Sequence, residues 1–428
     1  MLLEASERPG GVIQSVEEDG YLFELGPQSF SSSPALCKLS EELELTKLLL
    51  EAPHGAPRYV LLGGSLAPVP MSPTAFLASS LLGWKTKFAI LTEAMRTTYP
   101  PEPDESVAAF TRRKFSADLL DRVVGPFVSG IYAGDPEQLS LRAAFPKMYE
   151  AERISGSLVR GTLRLAQFAK RTAKETPRRP SLLSFRAGNE TLVRSLAEKL
   201  GSGLRCNVAV TELSRCNQGF VVRAQTSAGN QELTCQRVVL ATPAQTTAQI
   251  LQNIAAQAAS PLREIEYAPV AVVSLGYQRR QVRHSLAGFG FLAPRSSTLR
   301  TLGTVWNSSL FPGRAPQNRA LLTSFIGGAT DPRAAGLSAD ELAGLVHREN
   351  AAVLGITGNP ELKRVTSYLR AIPQYNLGHS ERLKHTQENL AAIPGLSVIG
   401  NYWMGPSIGA CIEHALSVAE QGRIGYKS

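Results

Sequence analysis

The sequence has few cysteines, no long apolar run and no secretory leader, and each absence excludes a class of protein. Its five cysteines are scattered through 428 residues without a Cys-x-x-Cys pair, which argues against a zinc site or a disulfide framework and fits a reducing compartment. No apolar run reaches the roughly 18 residues that a membrane-spanning helix requires. The N-terminus has neither a basic head nor a secretory cleavage site. We therefore expect a cytoplasmic protein with no bound metal and no integral membrane segment.

The charge balance is basic, with 45 Lys and Arg against 36 Asp and Glu and a formal net charge of +9. Solubility alone explains such an excess, and we predict no nucleic-acid partner. Positive charge is concentrated in residues 160–179, where apolar residues are interleaved. This stretch predicts either peripheral contact with the inner, anionic face of a membrane or an ordinary solvated surface. It contains Arg160, Arg164, Lys170, Arg171, Lys174, Arg178 and Arg179 against Glu175, with Leu158, Leu165 and Phe168 among or beside them.

Apolar periodicity predicts an α/β protein built from two regions that contain strands. In the first region, residues 238–241 are continuously apolar, which is typical of a parallel strand covered on both faces. An antiparallel meander precedes that strand, and a helix at 407–421 follows the last strand, 396–400. The other strands predicted for this region are 12–16, 21–25, 207–210, 220–224 and 231–235.

The second region combines strands with one long helix at 339–354, and a helical insertion lies between the two regions in sequence. Residues 72–168 lack strand alternation and indicate helices, which a glycine-rich interruption at 129–136 divides. The helices predicted there are 74–80, 86–95, 106–114 and 117–124, and the strands of the second region are 270–277, 288–292, 300–306 and 320–326.

The first eleven residues carry half of a nucleotide-binding motif. An apolar run ends at Glu4, and Arg8-Pro9-Gly10-Gly11 follows as a turn, which is how the second strand of a dinucleotide-binding unit delivers a carboxylate to a ribose. The other half, a strand with a Gly-x-Gly-x-x-Gly turn and a helix about 20 residues before the acid, is missing. We expect that the start was misplaced at an internal Met1; the alternative is a truncated gene with an unstable or inactive product.

The last loop and helix offer a second group of backbone donors. Ser407 can cap the helix, and Gly405 and Gly409 allow close backbone approach, so amides and the positive helix end face one small region. This arrangement suits the edge of a flavin that becomes negative on reduction. On this feature alone, a well-capped surface helix is the preferred interpretation.

These motifs occur in the order that a flavin domain requires, and the chain resembles the protoporphyrinogen oxidase family of amine-oxidase-like flavoproteins over nearly its whole length. The segment at 2–11 is shared by many flavin amine oxidases. Ser-Gly-Ile-Tyr-Ala-Gly-Asp at 129–135 and Ile-Pro-Gln-Tyr-Asn-Leu-Gly-His at 372–379 are specific to the porphyrinogen branch. The other matching segments are 23–27 and 400–413.

The resemblance implies a Rossmann-like FAD-binding domain, N-terminally truncated, with a mixed-sheet substrate domain and the helical insertion. It assigns 1–50, 181–262 and 371–428 to FAD binding, 51–71 and 263–370 to the substrate domain, and 72–180 to the insertion. It places Glu4 on the adenosine ribose, Val210 at the adenine and Tyr368 beside the flavin. The remaining implied FAD contacts are Arg8, Gly10, Gly11, Val12, Gly26, Pro27, Gln28, Ser29, Pro406, Ser407 and Ile408.

The implied substrate is a porphyrinogen with propionate arms, and dioxygen is the implied oxidant. Arg58 stands where the family anchors a propionate, and a guanidinium matches a carboxylate in charge and geometry; the alternative is an exposed hairpin charge. The macrocycle would lie against Leu292, Leu302 and Phe325, with the backbone of Gly130 and Gly134 close to it.

No residue is assigned a catalytic role. The lone pairs of the pyrrole nitrogens can expel hydride from a bridging methylene onto flavin N5, so the protein need only position the carbon and tune the flavin. His379 is a candidate proton shuttle, although a structural histidine is the simpler interpretation. Alternative functions are oxidation of coproporphyrinogen III to coproporphyrin III, an amine oxidase or carotenoid desaturase, and a non-catalytic porphyrin-binding remnant. A homodimer is also left open.

Overall fold

The computed structural model describes residues 1–100, 104–172 and 181–424. Part of the basic stretch, with Lys174, Glu175, Arg178 and Arg179, lies outside the described residues, as does the side chain of Lys170. Within the described ranges, no helix combines the length and apolar character that crossing a membrane requires. The same ranges contain no group of three or more His, Cys, Asp or Glu side chains placed to hold a metal.

The strands are short at both ends of the chain and long in its centre. In chain order they are β1 (Leu2–Leu3), β2 (Ser15–Glu18), β3 (Tyr21–Glu24), β4 (Phe30–Ser31), β5 (Leu49–Glu51), β6 (Arg58–Leu62), β7 (Ser65–Pro68), β8 (Leu182–Phe185), β9 (Leu204–Arg205), β10 (Ala209–Cys216), β11 (Gly219–Thr226), β12 (Gly229–Cys235), β13 (Val238–Leu240), β14 (Tyr267–Gln278), β15 (Gly290–Leu292), β16 (Thr301–Val305), β17 (Arg319–Gly327), β18 (Leu362–Pro373) and β19 (Leu396–Val398).

The helices are concentrated between β7 and β8, as the helical insertion predicts. They are α1 (Pro34–Glu42), α2 (Pro73–Ala78), α3 (Trp84–Leu91), α4 (Val107–Lys114), α5 (Ala117–Leu119), α6 (Gly125–Tyr132), α7 (Leu141–Ala144), α8 (Pro146–Ser155), α9 (Leu158–Thr172), α10 (Glu190–Leu200), α11 (Ala244–Leu251), α12 (Ala256–Arg263), α13 (Asn307–Leu310), α14 (Ala339–Leu354), α15 (His379–Ala391) and α16 (Ile408–Ile424).

The central sheet has seven strands in the order β18-β14-β17-β16-β15-β6-β7. All pairs are antiparallel except β15 with β6. Alternate residues of β14 face opposite ways, and Val273, Leu275 and Tyr277 pack in the large core that α14 closes. The opposite face carries Val270 and Val272. We name this second face the slot face, because it contains the residues predicted to contact the macrocycle.

The FAD-binding part is made of small sheets. Two parallel pairs, β1 with β9 and β13 with β19, form separate two-stranded sheets, and β10, β11 and β12 form the predicted meander. A core between the meander, α11 and α12 includes Leu213, Phe220 and Leu240. Three more strands, β4, β8 and β5, pack with α1 and α10 around Phe185.

Several sequence-based boundaries are wrong, and each has a local cause. The strand predicted at 12–16 begins at Ser15, because Ile13 N donates to Gly10 O and keeps the chain in a turn. The strand predicted at 207–210 does not include Asn207, because this residue has a φ of +57°, which lies outside the extended region. Val239 is 52% exposed, so the expectation that this strand is covered on both faces is wrong.

Two further corrections concern the porphyrinogen-specific segments. The glycine-rich stretch at 129–136 does not interrupt the helices at its start, because α6 continues through Gly130 to Tyr132 and ends at Ala133 in the left-handed conformation. Strand β18 was missed, and it crosses the predicted domain boundary between residues 370 and 371. Its exposed charged side chains, such as Lys363 and Arg370, hide the apolar alternation.

Candidate functional site

Glu4 directly follows β1, and one oxygen of its carboxylate accepts hydrogen bonds. Its N–H donates to Arg205 O at 2.9 Å, and its carbonyl accepts from Val208 N at 2.9 Å. One carboxylate oxygen, Oε1, accepts from the N–H and the hydroxyl of Ser6 at 2.9 and 2.7 Å. Val210 follows on β10 and packs on the same core as Leu3. The fold therefore brings together the two residues predicted for the adenosine end of FAD.

The turn after Glu4 is built by Arg8 and two glycines. The guanidinium donates to Gly11 O at 2.6 Å and to Pro9 O and Ile13 O at 3.2 Å. Gly10 and Gly11 have φ of +99° and +56°, and a Cβ at Gly10 would lie 2.7 Å from Val193 Cγ1. Arg8 is thus engaged by backbone carbonyls, and its role in the structure is to shape the turn.

The second turn, at 26–29, fits closely against the first. A Cβ on Gly26 would lie 2.1 Å from Val12 O, so only glycine allows the two turns to approach. Gln28 is buried and donates to Glu24 O and Gly26 O at 3.0 and 2.9 Å. Its side chain therefore holds the turn, while Pro27 and Ser29 are partly buried beside it.

The N-terminus of α16 lies beside this second turn. Ile408 packs on the core that contains Phe30, the residue after Ser29. Ser407 Oγ accepts from Ala410 N at 3.2 Å, which is the predicted cap. Gly405, at φ +128°, donates its N–H to Tyr375 Oη at 2.8 Å and so fixes the approach of Pro406.

Tyr368 and the residues predicted for the macrocycle share the slot face. Tyr368 pairs with Val270, and Phe325 pairs with Val272, two residues along β14. Burial raises the pKa of Tyr368, and the positive charge of Arg8 opposes that shift, so the first turn lies near this tyrosine. A β-bulge at Leu302 places two residues opposite Phe325. Leu302 and Phe325 both pack on the small core that contains Ala133 and Val270.

Gly130 lies before Ala133 in the chain and Gly134 after it, and each closely approaches a side chain of another segment. A Cβ at Gly130 would lie 2.7 Å from Leu292 Cδ2, and one at Gly134 would lie 2.8 Å from Gln374 Oε1. These positions bring α6 against the slot face. The structure thus collects Leu292, Leu302, Phe325 and Tyr368 on one side of the sheet, with α6 against Leu292 and the first turn near Tyr368.

Arg58 lies at the exposed end of β6. It pairs with Gly290, two positions from the pair formed by Val60 and Leu292, so its side chain projects from the slot face. The guanidinium carbon lies 5.4 Å from the centroid of the Phe289 ring. An arginine here can meet an anionic arm at the rim of an apolar surface.

His379 occupies a structural position. It is 2% exposed, its Nε2 lies 2.8 Å from Tyr402 O, and its ring is tilted against Tyr375. Burial lowers the pKa of His379 to about 4, so the ring is neutral near pH 7. A neutral donor to a carbonyl supports the structural interpretation that the sequence favoured.

Sequence reasoning missed the side chains that hold the loops. Tyr375 Oη donates to Asn401 O at 2.7 Å while it accepts from Gly405 N, and so ties the segment at 372–379 to the loop before α16. It also missed the buried pair of Glu24 and Arg314, 3.2 Å apart. Tyr375 lies inside a recognised motif, which was an available signal. Nothing in the sequence around Arg314 marks that residue.

The residues present fit both ends of FAD. A carboxylate at a strand end suits the ribose, and the glycine turns leave backbone bare where a Cβ would clash. The capped helix N-terminus and Tyr368 suit the ring end. The Gly-x-Gly-x-x-Gly turn that would hold the pyrophosphate is absent from the residues before Glu4.

Comparison with known proteins agrees with this geometry. The family model described as flavin containing amine oxidoreductase matches residues 1–421. Protoporphyrinogen oxidase 1 of spinach chloroplasts is 35% identical over 98% of this chain and 78% of its own length. Coproporphyrinogen III oxidase of Bacillus subtilis is 30% identical over 96% of this chain and 89% of its own.

A solved structure extends the agreement to the fold. A crystal structure from Exiguobacterium sp., described only as a candidate protoporphyrinogen oxidase, superposes with a TM-score of 0.81 at 24% identity, covering 99% of this chain and 92% of that one. The family match over most of the chain and the relatives at 30% identity or more fix the assignment. The chain belongs to the flavin containing amine oxidoreductase family, in its protoporphyrinogen oxidase branch, and its cofactor is FAD.

Proposed function

We propose that this protein oxidises protoporphyrinogen IX to protoporphyrin IX with FAD as the hydride acceptor and dioxygen as the final oxidant. The observation that carries the proposal is the slot face, where the fold gathers Leu292, Leu302, Phe325 and Tyr368 with Arg58 at the rim. A broad apolar surface with one cationic anchor suits a tetrapyrrole that bears propionates. Similarity to the spinach enzyme supports the same substrate.

Bound FAD would supply the hydride acceptor, at N5, and the means of reducing dioxygen to hydrogen peroxide. The apolar side chains exclude water from the macrocycle and hold a bridging methylene in place. Arg58 pairs with a propionate and fixes the orientation of the substrate. Expulsion of hydride is driven by a pyrrole nitrogen, whose N–H proton is then released to water, so no protein nucleophile is required. Three rounds remove six electrons and reduce three dioxygen molecules, and tautomerisation completes the aromatic ring.

Oxidation of coproporphyrinogen III is the second candidate, because the Bacillus subtilis relative is named for that activity. The test is an aerobic assay of the purified protein on both porphyrinogens, with porphyrin fluorescence as the signal. We expect faster formation of protoporphyrin. Faster formation of coproporphyrin would transfer the assignment to the second candidate. Consumption of an amine with no porphyrin formed would reject both.

We also propose that the protein is cytoplasmic and rests on the inner face of a membrane through the insertion. The membrane patch, as we name it, comprises Trp84, Phe88, Leu91, Leu163 and Phe168, all exposed side chains of α3 and α9. Trp84 is 72% and Phe88 66% exposed. Isolated apolar residues on a surface are ordinary, whereas helices that expose large apolar residues together with basic ones, here Lys85 and Arg164, are typical of membrane interfaces.

Not every basic residue of the stretch predicted to contact the membrane is available to a lipid surface. Arg160 is directed inward, where it donates to the carbonyls of Ala94, Arg96 and Ser155, so it does not supply surface charge. Co-sedimentation with anionic vesicles tests the patch. We expect W84S/F88S to weaken association and the matched change of exposed leucines on α10, L196S/L200S, to have no effect. Association that is equal for both double variants, or independent of anionic lipid, would contradict the proposal.

A further inference from the structure

Two buried side chains from the substrate region contact the turn at 26–29 or Glu24, which precedes it. Arg314 is 1% exposed, and its Nη2 lies 3.2 Å from Glu24 Oε1. The same nitrogen donates to Ser184 Oγ and to Phe185 O. Asn307, at the start of α13, donates from Nδ2 to Gln28 Oε1 at 2.6 Å. Both contacts cross from the region of the seven-stranded sheet to the FAD-binding part.

In the FAD-binding part, hydrogen bonds from side chains hold the turn. Glu24 accepts from Ser15 Oγ at 2.7 Å and from Asn189 N at 2.9 Å. Asn189 Nδ2 donates to Pro27 O at 2.7 Å, and Gln28 Nε2 donates to Glu24 O and Gly26 O. Each of the three carbonyls at 24, 26 and 27 therefore has a side-chain donor. A displacement of Asn307 would reach the turn directly through Gln28, and a displacement of Arg314 would reach it through Glu24.

Stability alone does not account for this ion pair. Among the described residues, no group accepts a hydrogen bond from Nε or Nη1 of Arg314, although both are buried. Burial raises the pKa of the Glu24 carboxyl and lowers the pKa of Arg314, which means that desolvation opposes both charges. Buried ion pairs of this kind are often no more stabilising than apolar residues of similar volume. The pair fixes an arrangement at an energetic cost.

We infer that Arg314 and Asn307 are positioning residues that fix the turn at 26–29 relative to the slot face and thereby set how the flavin meets the porphyrinogen. The inference rests on the proposed function, because that function places the flavin beside this turn. The hydrogen bonds and ion pair described for these two residues join them to the FAD-binding part and not to the slot face. Their effect passes through Glu24 and Gln28.

The double variant E24Q/R314M tests the pair. Glutamine keeps the size of Glu24 and an acceptor for Asn189 N, and its amide can donate to Ser15 Oγ, which then acts as the acceptor. Methionine fills part of the volume of Arg314 without orphan donors, so we expect the protein to fold. The measurements are FAD content, the visible spectrum of the bound flavin, and the rate at which porphyrinogen reduces the flavin without oxygen. N307A is the second variant, and it removes only the contact to Gln28.

We expect the double variant to retain FAD with a shifted visible spectrum and to reduce it about 10- to 100-fold more slowly, with little change in KM for porphyrinogen. N307A should cause a smaller loss of the same kind. The control is D340N/K363M, which removes the exposed ion pair between Asp340 and Lys363 on the α14 side of the sheet and should leave spectrum and rate unchanged. In an R314K variant, the retained charge without the planar fork should give an intermediate rate.

The outcomes separate this inference from the proposed function. A double variant with the wild-type spectrum and rate would overturn the positioning role. Failure of both E24Q/R314M and N307A to fold would assign these residues to stability and would also overturn it. If the FAD-loaded wild-type protein is not reduced by either porphyrinogen, the proposed function fails, whereas a spectral shift in the double variant would still show that the pair positions the flavin.

Discussion

The substrate sheet and the FAD-binding part are held together in different ways. In the sheet, β14 pairs with β17 and β18 over most of its length, and a continuous core lies beneath it. In the FAD-binding part, β1, β4 and β9 have two residues each, and the two parallel pairs are separate sheets. Within the described ranges, no strand pairs with the second edge of β1 or of β19.

The difference teaches where the stability of each region originates. Backbone pairing and apolar burial stabilise the seven-stranded sheet without a ligand. The FAD-binding part has its own core around Leu213 and Phe220, but the two turns predicted to meet FAD depend on glycines and side-chain bonds, such as those of Arg8 and Gln28. A ligand that binds the folded form adds stability in proportion to its affinity and concentration. We therefore expect FAD to order its own region more than the sheet.

The largest expected effect on cofactor binding is the loss of FAD after G26A. The added Cβ would lie 2.1 Å from Val12 O, a backbone atom that cannot move aside without opening both turns. We expect FAD affinity to fall by about 100-fold or more, which corresponds to the roughly 3 kcal/mol typical of severe overpacking. Absorbance of the purified protein near the flavin band measures retention.

The matched control for this change lies on the sheet side. A Cβ added at Gly336 would have no described atom of another residue within 4 Å, apart from its chain neighbours, so G336A should retain FAD. Circular dichroism of G26A should show the strand content of the sheet intact. Equal loss of FAD in both variants, or global unfolding of G26A, would break the proposed contrast between the two regions.

The next effect concerns the sheet alone. Trp306 is fully buried in the core between the sheet and α14. We expect W306A to lower the free energy of unfolding by about 3–5 kcal/mol, as large-to-small changes of buried aromatic residues do. Chemical denaturation with and without FAD measures it. The difference from wild type should be the same in both conditions; a difference that disappears with FAD would mean that the cofactor also holds the sheet.

Acid should destabilise the FAD-binding part through His379. Burial is the main cause of its lowered pKa of about 4, and the charge of Arg382 lowers it further, whereas the hydrogen bond to Tyr402 O and the charge of Asp104 oppose the shift. Because the unfolded chain binds a proton near pH 6.5 and the folded one does not, stability is full above pH 6.5 and is lost as the pH falls toward 4. The loss amounts to about 3 kcal/mol.

Denaturation at several pH values, with H379Q beside the wild type, measures this contribution. Glutamine can still donate to Tyr402 O but does not titrate, so the slope between pH 6.5 and 4 should decrease. The exposed His385 on the same helix provides the control, and H385Q should keep the wild-type slope. An unchanged slope in H379Q would assign the acid sensitivity to other groups.

The sequence predicted the two regions unequally well. Helix α14 was predicted at its observed bounds, because its apolar period, Ser338 cap and Gly355 end agree. Strand β18 was missed, since its burial is decided by partners distant in sequence. Recognised motifs supplied the predicted contacts at Glu4 and Gly26. Arg314 lies outside every motif, and its approach to Glu24 depends on how the two regions pack.

The smallest expected effect is that of replacing Arg58, at the rim of the slot face. Its side chain is exposed and projects from the slot face, so it can bind a propionate without taking part in hydride transfer. We expect R58Q to raise KM for protoporphyrinogen about tenfold while kcat stays near the wild-type value, since the lost contact is the same in the ground and transition states. R58K should lie between, because a lysine keeps the charge without the fork. Steady-state porphyrin fluorescence gives both constants. A fall in kcat with unchanged KM would show instead that Arg58 stabilises the transition state. The rim would then contribute to catalysis, as the turns that position the flavin do.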